Sequence, residues 1–245
     1  MSDSVEPTDS DIRNLLQGMR GRLMDSQVFC KTAYDIFDLI ARSPGGEEKL
    51  RLRKNRDINR LMKEVIPIAG YMRLNFSSEI KLMVSWVDAE YDAYLKEREI
   101  KKEGSPRPYF LEVTTAVRDN DHLARQYLHE HGVVGWAKGI SRDKQTKQIK
   151  YIPVCCDSGN CEAERDFAEI IRNIIQKKAG KNYPNGTLLI IHCDLDFLYF
   201  PAEWDFIVRT VRESRIKHNF QDIVLLKTKQ YNHDGNHDFF EMSYL

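Results

Sequence analysis

Apolar residues recur at helical spacing through the start of the chain. Ile12, Leu15, Leu16, Met19 and Leu23 line one face of a helix predicted over Asp11–Met24. Phe29, Ala33, Ile36, Phe37 and Ile40 do the same over Val28–Ala41, and Ser43-Pro44-Gly45-Gly46 ends that second helix. The polar residues 1–10 predict a disordered lead-in. A basic stretch, Lys49–Arg60, runs into a further helix predicted to end near Asn75. Pro67 lies inside it, lacks an N–H and crowds the carbonyl four residues back, so a kink is expected near Glu64.

From Ile80 the period changes to two. Ile80, Leu82, Val84 and Trp86 alternate with Lys81, Met83 and Ser85, and Tyr91–Leu95 resumes after a turn at Asp88–Glu90. The charged stretch Lys96–Arg107 reads as a loop, and YFLEVTT (Tyr109–Thr115) as a short strand rich in aromatic and β-branched residues. Asp119 or Asn120 can cap a helix that runs to His131 and stops at Gly132. Val133–Ile140 and Gln148–Val154 predict a hairpin about SRDKQTK, followed by a Cys-rich loop over 155–161. Glu162–Lys178 is an amphipathic helix whose stripe is Phe167, Ile170, Ile171, Ile174 and Ile175. Thr187–Cys193 and Asp222–Leu226 read as buried strands, Trp204–Arg215 as a helix, and Asp238–Met242 as a closing edge strand. Helix–strand alternation after residue 160 implies parallel pairing, and the run over 80–154 implies meandering strands. The expected fold is α/β, a mixed central sheet flanked by helices. Residues 1–48 form an N-terminal helical extension and 49–245 the main domain.

Composition narrows the class of protein. Hydrophobic residues make up 42% and charged residues 30%, a globular balance. Lys+Arg and Asp+Glu both count 37, so the net charge of zero argues against a nucleic-acid coat protein but leaves room for a local basic groove. The polar, acidic opening MSDSVEPTDS has no secretory pattern, and no apolar run approaches the ~20 residues of a membrane helix. Five cysteines without a signal favour free thiols, so the cytoplasm is the expected compartment.

The candidate chemistry sits in two acids. Asp92 lies in WVDAEYDAYL and Glu112 in PYFLEVTTA, on strands that a hairpin-like connection could pair. A carboxylate inside a strand as apolar as YFLEVTT costs free energy unless a partner or a metal meets it. Converging carboxylates supply the hard oxygen donors that Mg²⁺ takes, and such a cation could activate water for phosphodiester hydrolysis. The bland alternative is that Asp88, Glu90 and Asp92 are solvent-face acids and that Glu112 pairs with a nearby base.

The order of a helix carrying Glu64, a strand with Asp92 and a strand with Glu112-Val113-Thr114 resembles the PD-(D/E)xK, restriction-endonuclease-like superfamily. The resemblance covers roughly residues 55–116 and, more loosely, 162–193. It implies that Asp92 and Glu112 bind Mg²⁺ or Mn²⁺, that Glu64 is an accessory ligand, and that the chain hydrolyses DNA. Two positions depart from the pattern: Thr114 stands where the family has Lys, and Tyr91 where it has Pro. A lysine from the long helix, Lys177, Lys178 or Lys181, would replace the missing charge, with Lys178 joining Asp92, Glu112 and Thr114 in the catalytic set. If none does, the fold is expected to serve as a non-catalytic binding or assembly module.

Other residues have paired readings. Arg53, Lys54 and Arg56, within the cluster Lys49, Arg51, Arg53, Lys54, Arg56 and Arg60, form either a DNA footprint or a solvated helix face. Arg125 either reaches phosphate or pairs locally. Cys155, Cys156 and Cys161 lack the paired knuckles of a zinc site, so a loop with free thiols is the preferred reading. Asp194 and Asp196 follow a buried strand as metal ligands or, preferably, as a helix cap. His129 and His131 suit the negative end of a helix. DNA is the expected partner, no membrane is expected, and a homodimer is compatible with the sequence.

Overall fold

The computed structural model describes residues 8–76, 82–97, 110–132, 139–152, 161–193, 201–228 and 240–245. Residues 1–7 of the lead-in, most of the Cys-rich loop, Asp194 and Asp196 lie outside these residues, and the lead-in's Asp9 and Ser10 belong to the first helix.

The N-terminal third is helical: α1 (Asp9–Met19), α2 (Ser26–Ala41), α3 (Gly46–Leu52), α4 (Arg56–Arg60) and α5 (Ile66–Asn75). Thr8 and Asp11 form a reciprocal capping box at the start of α1, with Thr8 N–H donating to Asp11 Oδ2 at 2.8 Å. The first helix ends at Met19, short of the expected Met24. Leu23 is exposed, and Met24–Asp25 instead forms a short strand, β1. Between α4 and α5, Leu61–Val65 forms a π turn, closed by Ile66 N–H donating to Leu61 O. This wider turn falls beside Glu64, where the sequence predicts a kink. Pro67, at the start of α5, has no N–H for the carbonyl of Lys63, and the π turn absorbs that break without ending the helix.

Among the described residues, seven strands form one sheet in the order β1-β2-β3-β4-β7-β8-β9. β2 (Leu82–Trp86), β3 (Ala93–Glu97) and β4 (Phe110–Ala116) are antiparallel neighbours. β4, β7 (Thr187–Cys193) and β8 (Asp222–Thr228) are parallel, and β9 (Phe240–Tyr244) closes the edge antiparallel to β8. This is the mixed sheet expected from the alternation of helices and strands. All seven residues of β7 are buried, as a parallel strand covered on both faces requires. Of the expected hairpin, residues 133–138 and 153–154 lie outside the described residues. β5 (Ile140–Arg142) and β6 (Ile149–Tyr151) pair apart from the main sheet, under α6 (Asp121–His131). Asn120 precedes α6 in the left-handed region (φ 64°), and its side chain donates to Ile140 O at 3.1 Å instead of capping the helix. Gly132 ends α6 at φ 73°, as expected of a glycine stop.

Strand alternation sorts the core into two layers. Leu111, Val113, Leu188, Ile190, Val224 and Leu226 face α1, α2 and α5. Leu189, Ile191, Cys193, Ile223 and Leu225 face α7 (Glu162–Ala179) and α8 (Pro201–Glu213). Ile12, Phe29 and Ile40 belong to the first layer, so residues 8–48 share the core of the sheet. No described helix is long and apolar enough to cross a membrane.

Gly70 marks the tightest approach of a helix to the sheet. A Cβ there would stand 2.3 Å from Cδ2 of the buried Phe240. Gly70→Ala is therefore expected to lower stability by about 1–3 kcal/mol, overriding the usual gain of alanine in a helix. Denaturant unfolding measures this, and a stabilised variant would show that Phe240 moves aside freely.

Candidate active site

The antiparallel ladder of β3 and β4 pairs Ala93 with Leu111 and Tyr94 with Phe110. Asp92 directly precedes β3, one residue out of that register, and its carboxyl lies near enough to Glu112 to feel its charge. The strand pairing ends there because the Asp92 side chain takes over. Its Oδ2 accepts from Val113 N–H at 2.7 Å, while Asp92 N–H still donates to Leu111 O at 2.9 Å. Val87 N–H donates to Asp92 O at 2.9 Å and closes the turn from β2. Asp92 is thus fixed by backbone on two sides. Burial, then the charge of Glu112, pushes its carboxyl up to about 7, against the Val113 N–H and Lys178, which pull it down.

Glu112 is buried in β4, with its side chain 8% exposed. Lys178 Nζ, near the end of α7, forms an ion pair with Glu112 Oε1, and Tyr183 Oη donates to the same oxygen at 3.1 Å. Lys178 follows Ile171 by seven residues and Ile175 by three, so it extends the buried stripe of α7 toward the sheet. Its neighbours Lys177 and Lys181 are exposed. Burial, reinforced by Glu112 and Asp92, raises the Tyr183 hydroxyl above its ordinary range, so it stays a hydrogen-bond donor. Thr114 lies two residues beyond Glu112 on the same strand and so on the same face, half-buried.

Glu64 comes from the π turn, in the helical layer on the other face. Trp86 Nε1 donates to Glu64 Oε2 at 3.0 Å, and Arg60 Nη2 donates to it at 2.9 Å. The Arg60 guanidinium stacks 4.7 Å from the Trp86 ring and lies 3.9 Å from Asp88. Burial works against the Arg60 charge, yet Glu64, Asp88 and Asp92 outweigh it and hold the group above its usual value. Arg60 is thus held by Glu64 and close enough to Asp92 for its charge to be felt.

The structure brings Asp92, Glu112 and Lys178 together. Glu64 is close enough to act on Asp92 through its charge. The remaining sequence candidates stand elsewhere. Arg125 is buried in α6 and pairs with Asp121 at 2.7 Å, the local i,i+4 contact that was one of its two readings. Arg53 turns back on Leu50 O at 3.4 Å, while Lys54 and Arg56 are exposed at the entry to α4. Tyr183 and Trp86 were not singled out in the sequence, and Arg60 was named only as part of the basic cluster. Tyr183 was hidden in a turn signal, although the i,i+4 spacing of Arg60 and Glu64 was a readable clue.

Among the described residues, no three or more His, Cys, Asp or Glu side chains are grouped so as to hold a metal ion. Mg²⁺ commonly takes one or two carboxylates and keeps its waters, so the relevant donor set is Asp92 with Glu112. Two neighbouring carboxylates, one half-buried and one buried, repel when both are ionised, and that donor chemistry fits a hard divalent cation. Comparison with protein-family models, with curated proteins and with solved structures finds no match for this chain.

Proposed function

We infer that the chain is a metal-dependent phosphodiesterase acting on DNA, built on a restriction-endonuclease-like core. The observation that carries this reading is the contact of Lys178 with Glu112, beside Asp92, on a strand whose own third motif position is Thr114. In this reading Asp92 and Glu112 hold Mg²⁺ or Mn²⁺. The cation supplies a Lewis acid for the phosphate and lowers the pKa of a bound water. Lys178 contributes a positive charge that α7 brings in from outside the motif. Tyr183 donates to Glu112 and fixes its rotamer. Arg60 adds a second cation at the mouth of the site, held by Glu64 and Trp86.

A second reading is a non-catalytic binding module. It is favoured by Thr114 and by the engagement of Glu64 with Arg60 and Trp86, which takes that acid out of any ligand set.

Metal-supplemented cleavage separates the two. Purified protein is expected to nick or degrade DNA with Mg²⁺ or Mn²⁺ and to lose that activity in chelator. Intact DNA under every metal condition would leave the binding module. Thr114→Lys is an informative companion. With Lys178 already in place, a second ammonium on the same face is expected to leave cleavage unchanged or lower it through repulsion. A large gain would mean that Lys178 does not fill the role.

A further inference from the structure

We propose that the half-exposed aromatic rings of Tyr91, Tyr94 and Phe110 form a stacking platform for the bases of single-stranded DNA entering the Asp92–Glu112 site. The proposal rests on the phosphodiesterase reading and adds the substrate form to it.

Phe110 is two residues before Glu112 on β4, so both side chains rise from the same face of the sheet. Tyr94 is the register partner of Phe110 and therefore shares that face. The rings of Tyr94 and Phe110 are 5.6 Å apart and those of Tyr91 and Phe110 are 4.7 Å apart, both tilted. All three residues are partly open to solvent. Their neighbours on the same sheet face further along β4 and β7 are buried under α7 and α8, whereas these rings belong to no described core cluster. Three adjoining rings left partly open form a contiguous aromatic patch, the kind of surface that marks a binding site.

Position and charge select the occupant. Two residues along a strand span about 6.7 Å, comparable to the step between successive nucleotides, so a base beside a phosphate held at Glu112 reaches the Phe110 ring. Lys96, two residues after Tyr94 on the same face, is exposed and adds a positive charge beside the rings. Aromatic rings interleaved with cations along a groove are the chemistry that binds unpaired strands, because every base presents a π face. Bases stacked within a duplex cannot use such a platform.

The test is fluorescence anisotropy in chelator, with labelled oligothymidine and a duplex of the same length. Wild type is expected to bind oligothymidine at least about tenfold more tightly than duplex. Tyr94→Ala should weaken oligothymidine binding by on the order of tenfold, and Tyr94→Phe, which keeps the ring, should restore it. Equal affinity for the two forms, or a Tyr94→Ala variant that binds as wild type, overturns the platform. Tighter binding of oligouridine than of oligothymidine overturns the choice of DNA. Because binding is read without metal, the two readings fail separately. Duplex cleavage with no effect of Tyr94 removes the platform alone. Tyr94-dependent binding without cleavage in any metal removes the phosphodiesterase reading alone.

Discussion

Asp92→Asn and Glu112→Gln are each expected to reduce DNA cleavage by at least about 10³-fold, the scale seen when one member of a preorganised charged site is removed. Both substitutions keep the shape and remove the charge. In Asp92→Asn the amide oxygen can still accept from Val113 N–H, so the turn that ends β3 survives. In Glu112→Gln the amide oxygen can still accept from Tyr183. What is lost is one anionic carboxylate of the pair that, in the proposed reading, would hold the cation. Lys178→Met, which keeps much of the length of the side chain, is expected to lower turnover to a similar degree. It also strands Glu112 without its partner, so it needs a stability measurement beside it. Full activity in either carboxylate variant would remove the site from the chemistry. The double variant should lose little more than the worse single one, because residues acting as one unit are not additive.

The second large effect is on stability. In metal-free protein, Asp92→Asn is expected to raise stability above pH 7 by on the order of 2–4 kcal/mol, and to change it little near pH 4. The folded Asp92 carboxyl titrates at about 7, above its ordinary value of 3.8, so the native state holds a proton that the unfolded chain has released. The protonated group contributes stability that is fully present below pH 3.8 and is lost as the pH rises toward 7. Asparagine is neutral throughout and carries no such loss. For a chain of this length the difference amounts to a shift in Tm of several degrees, read by calorimetry across the pH range in chelator. A gap between the two proteins that does not vary with pH would contradict the burial and the Glu112 charge assigned to Asp92.

How much of this was readable in advance differs between elements, for physical reasons. β7 and α7 were plain, because a continuous apolar strand and a stripe at 3.6-residue spacing depend on local pattern alone. Pro67 marked a break in the helix beside Glu64, though its form as a π turn depends on how the helix packs on Trp86. The pairing of β3 with β4 was open, and with it the placing of Asp92 near Glu112. Register is a property of two strands together, and one sequence segment does not contain it. Lys178 could be narrowed to three lysines, yet only the α7 packing selects the one that continues the Ile171–Ile175 stripe. The Tyr183 contact was invisible, since a tyrosine in a Pro-Asn-Gly turn reads as punctuation. For Arg125 the sequence left two readings open. An arginine four residues after Asp121 satisfies itself within its own helix, and proximity in sequence to the Glu112 strand says nothing of where that helix lies.

The central claim is that Asp92 and Glu112 together bind a hard divalent cation. Calorimetric titration of Mn²⁺ into the full chain above pH 7, comparing wild type with Asp92→Asn and Glu112→Gln, tests it most directly. The account predicts saturable binding by wild type and its loss in both variants, with each variant still folded. Identical isotherms for the three proteins, or no binding by wild type, would contradict it.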